Sequence, residues 1–185
     1  MKLTKVLLTS LIGLIPWFST MAENTAHQLL DEQLIIELPS ELRAMSSTAI
    51  EKRYGNQTTP PSHVFNNKDK NVSFSVTQYP TPANKKAMNK IHKSISNMLR
   101  QANGQANWKK DKVYTRLGTK IAVYEYETKA IGKYQYNLTY ALPVNQQLTF
   151  ISFITTDKKY KSKWVTLARE SLESIRLTEG ELTTK

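Results

Sequence analysis

The 185-residue sequence contains no cysteine, and this absence excludes several classes of structure and chemistry. Without thiols the chain can form no disulfide bond, no cysteine-ligated zinc or iron–sulfur centre, and no cysteine nucleophile. It also lacks the cysteine to which a bacterial lipoprotein attaches its lipid. The fold must therefore depend on its apolar core alone.

Histidines and catalytic motifs are also scarce. The three histidines, His27, His63 and His92, do not have the spacing of a metal-binding pair. His92 and Ser94 are the nearest approach to a base and a nucleophile, but residues two apart on a helix point in different directions. Glycine-rich phosphate loops and nucleophile-elbow motifs are absent from the sequence. We therefore expect no metal, no cofactor, no catalytic residue and no enzyme activity.

The first 22 residues have the pattern of a secretory signal peptide. Lys2 and Lys5 precede an uncharged, mostly apolar run over 6–18, and Thr20-Met21-Ala22 places small residues where a signal peptidase cleaves. The run is shorter than the roughly 20 residues that span a bilayer as a helix. We expect cleavage after residue 22 and a periplasmic or secreted protein. An uncleaved membrane anchor is the alternative.

The rest of the chain is basic and long enough for one domain. We expect a flexible lead-in over 23–32, a single domain over 33–177 and a polar tail over 178–185. Removal of Lys2 and Lys5 from the 26 basic residues, against 15 acidic residues, leaves a net charge of +9. Such a charge favours an acidic protein, nucleic acid or an anionic membrane face as the partner.

Residues 119–155 predict the centre of the fold, a meander of three antiparallel strands. Turn signals at Gly132-Lys133 and Asn145-Gln146 divide this stretch into three strands. The middle strand alternates polar residues with Tyr134, Tyr136, Leu138, Tyr140 and Leu142. The third strand is apolar on both sides, so we expect it near the middle of the sheet.

The remaining elements predict an α+β sandwich. Strands are predicted at 33–38, 63–65, 71–79 and 109–116. A short helix is expected at 48–54 after the Ser46 cap, a long amphipathic helix at about 88–102, and a final helix opened by Asp157. The predicted fold is an antiparallel sheet of about six strands, covered by two longer helices, with one short helix besides.

Several sequence segments together resemble one family. They are Leu38-Pro39-Ser40, the KRYG of 52–55, the VFNNKDKNVSFSV of 64–76 and the ESIRL of 173–177. With the long helix and the meander between them, they resemble the PsbP-like fold, in particular its exported bacterial DcrB-like branch. The resemblance covers 33–177, nearly the whole mature chain.

The resemblance implies a fold and a broad role rather than a chemistry. Members of the fold are mostly non-catalytic binders: an extrinsic photosystem subunit, a Ran-binding nuclear-transport factor and bacterial proteins that hold secreted effectors. The metal-related residues of the photosystem subunit have no match in this chain. The DcrB-like branch usually carries a lipoprotein cysteine, which this chain lacks.

Three lysine clusters are candidate partner-binding surfaces. They contain Lys85, Lys86, Lys90 and Lys93; Lys109, Lys110 and Lys112; and Lys158, Lys159, Lys161 and Lys163. A charge run is usually a solvated face, and the functional hypothesis is that the three clusters converge on one acidic partner. Because an exported protein rarely meets nucleic acid, we expect an acidic protein, with peripheral contact to an anionic membrane as the alternative.

Two further patterns have a structural and a functional interpretation. The tyrosine stripe of Tyr134, Tyr136 and Tyr140 predicts core beneath a helix, or an exposed aromatic partner site if that face is uncovered. Glu125 and Glu127 share a strand face about 7 Å apart. They are expected to pair with lysine, and an acid–base role is the alternative.

The sequence favours a non-enzymatic exported module that docks an envelope or effector protein, one version being an immunity protein against an antibacterial toxin. A carrier of a small apolar ligand or lipid is the alternative, with a pocket lined by Met88, Ile95, Met98 and the tyrosine stripe. A hydrolase that uses Glu125 and Glu127 is the third hypothesis.

Overall fold

Ten strands and three helices make up the parts of the chain that the computed structural model describes, residues 24–130 and 133–178. The strands are β1 (Asn24–Leu29), β2 (Leu34–Pro39), β3 (Arg43–Ala44), β4 (His63–Asn66), β5 (Val72–Pro82), β6 (Asn107–Arg116), β7 (Thr119–Ala130), β8 (Lys133–Val144), β9 (Gln147–Thr155) and β10 (Arg176–Leu177). The helices are α1 (Ser47–Tyr54), α2 (Met88–Ala102) and α3 (Lys161–Glu173).

The strands form two antiparallel sheets. The larger has seven strands in the order β3-β4-β5-β9-β8-β7-β6, and the smaller has three in the order β1-β2-β10. This confirms the predicted α+β class, with seven strands in the main sheet instead of about six. The predicted meander is β7-β8-β9, and β9 is the fourth of seven strands, as expected for a strand that is apolar on both sides.

The two longer helices cover opposite faces of the large sheet. Ile121 and Val123 of β7 belong to a core that includes α3 and β2. Ala122 and Tyr124, which alternate with them, belong to a second core beneath α2. Since successive strand residues point to opposite faces, α2 lies on one side of the sheet and α3 with the small sheet on the other.

The ends of the helices follow local sequence signals. The Ser46 hydroxyl accepts a hydrogen bond from the N–H of Ala49 at 3.3 Å, and Gly55 ends α1, as predicted. The Asp157 carboxylate accepts the N–H of Tyr160 at 2.9 Å, so it orders the turn before α3, although the helix itself begins at Lys161.

Three strands were not predicted from the sequence. No strand was expected in 23–32, yet β1 pairs with β2 from Asn24↔Pro39 to Leu29↔Leu34. Its residues are mostly polar and exposed, so a backbone ladder rather than an apolar pattern defines it. β3 and β10 have two residues each, too few for a periodicity to be visible. The predicted signal peptide, the tail beyond Thr178 and Gly132 of a predicted turn lie outside the described residues.

The β8–β9 turn provides a stability test. Asn145 and Gln146 have φ values of 49° and 56°, the left-handed region that the two-residue hairpin turn requires and that glycine adopts at little cost. We expect Gln146→Gly to raise the free energy of unfolding by about 0.5–1 kcal/mol, measured by urea denaturation. Gln147→Gly is the matched control in β9 and should lower it. Equal destabilisation by both changes would contradict this account of the turn.

Candidate functional site

An open groove runs across one end of the large sheet, between the β7–β8 end and the start of α3. One part of it has a volume of about 840 Å³ and is lined by Glu127, Lys129, Tyr134, Lys158, Lys159, Lys161 and Ser162. A second part of about 560 Å³ shares Glu127, Lys129 and Tyr134 and continues along 102–107, between α2 and β6. We call the residues of the first part the lysine groove.

The strand register brings these residues together. Asn107 of β6 lies opposite Glu127 of β7, and Lys129 of β7 lies opposite Tyr134 of β8. β9 ends at Thr155, opposite Tyr136, and the connection from β9 to α3 carries Lys158 and Lys159 past the same end of the sheet. Residues that are 24 or more apart in sequence thus face one groove.

A single ion pair lies at the base of the groove. The Lys161 ammonium donates a hydrogen bond to Glu127 Oε1 at 2.6 Å. This bond, with further attraction from Lys161 and Lys109, holds the pKa of the Glu127 carboxyl below its ordinary value. The same bond raises the pKa of Lys161. Both groups are therefore charged at neutral pH.

The groove has more cations than anions. Among the described residues, no carboxylate lies within ion-pair distance of Lys129, Lys158 or Lys159. Glu127 is the one acidic lining residue and is already paired with Lys161. The groove therefore has a net positive charge and attracts anionic groups.

Glu125, two residues along β7 from Glu127, is buried, with 1% of its surface exposed. Its Oε1 accepts hydrogen bonds from the Tyr136 hydroxyl at 2.8 Å and from Arg169 of α3 at 2.6 Å, and Lys110 lies 3.7 Å from Oε2. Burial, and then the bond to Glu125, raise the pKa of Tyr136. The expected pairing with lysine holds for Glu127, whereas Arg169 is the direct partner of Glu125. The acid–base alternative has no support in this geometry, because Glu125 is enclosed beneath α3.

The structure brings two of the three lysine clusters together. Lys109 and Lys110 lie beside Glu127 and Glu125, on the same side of the sheet as Lys158 and Lys159. The α2 lysines form a separate exposed set on the opposite side, consisting of Lys86, Lys90 and Lys93. Convergence of all three clusters on one surface is therefore corrected to convergence of two.

The tyrosine stripe divides between core and surface. Tyr136 and Tyr140 are 2% and 9% exposed and pack in the core beneath α3. Both residues fit the interpretation of the stripe as core. The exposed-patch alternative requires an uncovered sheet face, but α3 covers the face on which Tyr136 and Tyr140 lie. Tyr134 is half-buried and lines the lysine groove, so it is the one member of the stripe within reach of a partner.

The apolar pocket expected for a ligand carrier does not form from the predicted lining. Met88 and Ile95 belong to α2 and pack against one side of the sheet, whereas Tyr136 and Tyr140 pack on the other side. Met98 is 56% exposed and points away from both cores. The intervening sheet thus separates the residues that would have lined the pocket.

A polar network that the sequence analysis missed joins α2 to β6. Asp111 accepts hydrogen bonds from Ser96 at 2.5 Å and Arg100 at 2.6 Å, and it contacts His92 Nε2 at 2.8 Å. The His92 ring also stacks on Tyr124. The signal was present, because His92, Ser96 and Arg100 are spaced by four residues and share a helix face. From the sequence, His92 was compared only with Ser94, as a base and a nucleophile, and that pair was rejected because the two side chains point in different directions.

The network fixes the charge of Asp111. Burial by itself would raise the pKa of the carboxyl, but the hydrogen bonds from Ser96, Arg100 and His92 outweigh it and lower the pKa.

Within the described ranges, no three histidine or acidic side chains are grouped so that they could hold a metal ion. None of the helices in those ranges is long and apolar enough to cross a bilayer.

Comparison with solved structures identifies the fold. A solution structure of cyanobacterial PsbP (CyanoP) from Synechocystis aligns over 87% of this chain and 96% of its own, with a TM-score of 0.61 and 10% identity. LpqN of Mycobacterium tuberculosis, involved in cell envelope biogenesis, aligns over 84% and 91%, with a TM-score of 0.45 and 10% identity. A structure from Bacteroides thetaiotaomicron aligns over 87% of this chain and 51% of its own, with a TM-score of 0.47 and 16% identity.

No protein-family model and no curated protein matches the sequence. The likeness to CyanoP confirms the PsbP-like fold that the sequence segments indicated. The DcrB-like branch within it stays a prediction. The fold is thus established for this chain by structure rather than by sequence similarity.

The buried Glu125 allows a test of what holds α3 on the sheet. We expect Arg169→Met to lower the free energy of unfolding by roughly 2 kcal/mol, because it leaves a buried carboxylate with only Tyr136 and the more distant Lys110. The matched control is Arg176→Met, whose partner Glu37 is 37% exposed, and its cost should be below about 1 kcal/mol. Equal costs in urea denaturation would contradict the assigned role of Glu125.

The Asp111 network predicts a pH dependence. A carboxyl whose pKa falls on folding stabilises the protein above its unfolded pKa, and that stabilisation is lost as the pH falls through the lower, folded value. Asp111→Asn should lower the free energy of unfolding by about 2 kcal/mol at neutral pH. The difference in free energy of unfolding between the wild type and this variant should then narrow as the pH falls below 3.8, the ordinary pKa of an aspartate. Val113→Ala, a control on the same strand that removes no ionisable group, should show a constant gap, and a constant gap for Asp111→Asn would refute the mechanism.

Proposed function

We propose that this chain is an exported, non-catalytic binding module that docks an acidic protein partner at the lysine groove. The observation that carries the proposal is that Lys129, Lys158, Lys159 and Lys161 line a groove whose one acidic lining residue is already paired. Lys109 lies outside this lining but close enough to Glu127 to lower the pKa of its carboxyl. An acidic surface would neutralise Lys129, Lys158 and Lys159 and displace only their water and counterions.

The shape of the groove also suits a macromolecule. The groove is open and extends over two connected parts, so it offers a long contact rather than an enclosed site for a small apolar ligand. Tyr134 adds an aromatic ring at its centre, half-buried, with the Lys161 ammonium 5.7 Å from the ring centroid. Tyrosine beside cationic side chains is typical of protein-binding surfaces.

Export rests on the sequence of residues 1–22, with their basic start, apolar run and small-residue cleavage site. The PsbP-like fold is compatible with an exported binder. An immunity protein is one version of this function, and a toxin gene beside this one would favour it. We expect the partner to be a protein of the cell envelope or an effector protein that enters it.

The proposal predicts that charge reversal in the groove abolishes partner capture. We would recover proteins that bind the tagged full chain in its native envelope extract, at low salt and at high salt. Lys129→Glu, Lys158→Glu and Lys159→Glu together should reduce recovery of the salt-sensitive partner at least about tenfold, because the local charge changes sign. Recovery by the wild type should itself fall at high salt.

The α2 lysines provide a matched control. Lys86→Glu, Lys90→Glu and Lys93→Glu make the same change in net charge on the opposite side of the sheet, and recovery should stay near the wild-type level. Equal losses with both triple variants would show that only the net charge matters. Unchanged recovery with the groove variant would refute docking at the groove.

A further inference from the structure

β6 is an edge strand with an unoccupied side. It ends the seven-strand order and pairs with β7, and no other strand of the described chain pairs with it. It spans ten residues, whereas β3 at the other edge of the same sheet has two. In an edge strand, every second residue directs its N–H and C=O away from the neighbouring strand. These groups are available to a further strand.

The sequence of β6 does not prevent such pairing. A bulge at Lys109 interrupts the ladder near the start of the strand, but residues 110–116 pair without a break from Lys110↔Glu125 to Arg116↔Thr119. This stretch contains neither proline nor glycine, so each residue keeps its backbone donor and an extended conformation. A regular edge seven residues long is therefore present.

The side chains define which strand would fit. Lys110 and Lys112 are exposed on the edge, and Asp111 between them is neutralised by Arg100 and its other hydrogen-bond donors. Directly opposite residues on paired strands attract when their charges differ and repel when they are alike. A second copy of this chain, paired antiparallel about Lys112, would place two Lys112 side chains opposite each other. The edge therefore favours an acidic strand over itself.

The edge leads into the second part of the open groove, which shares Lys129 and Tyr134 with the lysine groove. Asn107 at the start of β6 lies opposite Glu127 and lines the second part of the groove. A segment that runs along 110–116 and continues past Asn107 would enter the groove beside Lys129 and Tyr134. The edge and the groove thus form one extended surface.

We propose that the partner binds through an extended acidic segment that adds to the large sheet as a strand along β6, with further acidic residues in the lysine groove. This inference rests on the proposed function and specifies its binding mode. Main-chain hydrogen bonds to β6 would supply part of the affinity, and the lysines would supply the selectivity for acidic sequence.

A pair of peptides separates strand addition from simple charge attraction. The probe is a fluorescein-labelled decapeptide of alternating glutamate and threonine, and the control is the same peptide with every second amide N-methylated. Both have the same charge, but the methylated peptide lacks the donors of one edge. We expect the probe to bind the purified full chain at least about tenfold more tightly, since several main-chain hydrogen bonds are removed from the control.

Amide hydrogen exchange locates the contact. Addition of the probe should slow exchange at alternate amides of 110–116, and the methylated control should not. Equal affinities of the two peptides, or unchanged exchange at 110–116, would overturn strand addition. If the two affinities are equal and both fall when the groove lysines are reversed, strand addition is overturned but the proposed function stays in place. If neither peptide binds, strand addition is also overturned.

A protein variant tests the same point. Because neighbouring residues direct their N–H groups to opposite sides, one of Lys112→Pro and Val113→Pro removes an outward donor, and the other disrupts the ladder to β7. The variant that keeps the wild-type melting temperature should bind the unmethylated probe more weakly than the wild type does, because it loses an outward donor and its proline ring occupies the space beside the edge. An unchanged affinity for the unmethylated probe would refute the proposal.

Discussion

Burial of β7, β8 and β9 on both faces is the constraint on which the rest of the structure depends. Each strand sends alternate residues into two different cores, so the sheet needs a cover on each side. α3 and the small sheet provide one cover, and α2 provides the other. The positions of both helices, and hence of the groove at the start of α3, follow from this requirement.

The two covers are held in different ways. α3 packs with large apolar residues and adds one buried ionic contact, Arg169 to Glu125. Beneath α2 the sheet presents the small residues Ala122 and Ala141, and the helix is also tied to β6 by hydrogen bonds to Asp111. Some charged side chains, such as Arg169, Glu125 and Asp111, therefore hold the helices on the sheet. The groove lysines that have no such partner are candidates for recognition.

The sequence predicted the elements that have a periodicity and missed those that do not. The meander, α2 and the Ser46 cap were visible because apolar spacing or a cap residue marks them within a few residues. β1, β3 and β10 are defined by backbone pairing with distant strands, which no local pattern records. The candidate site was partly predictable: the lysines and Tyr134 were named, but which clusters meet depends on the faces taken by α2 and α3. The contact of Asp111 with His92 likewise needs a register between two elements.

The pairing of strands also orders the assembly of the chain. β7, β8 and β9 are joined by short turns and can pair as soon as they are made, because their loops close at little entropic cost. β5 waits for β9, since Val72 lies opposite Thr155, and β2 waits for β10, since Leu34 lies opposite Leu177. The amino-terminal third of the domain therefore cannot join the large sheet until β9 has been delivered, and the small sheet is completed only by β10 at the end of the domain. If the chain is exported as we propose, this topology keeps it incompletely folded while it is threaded through a secretion channel, and the fold closes on arrival.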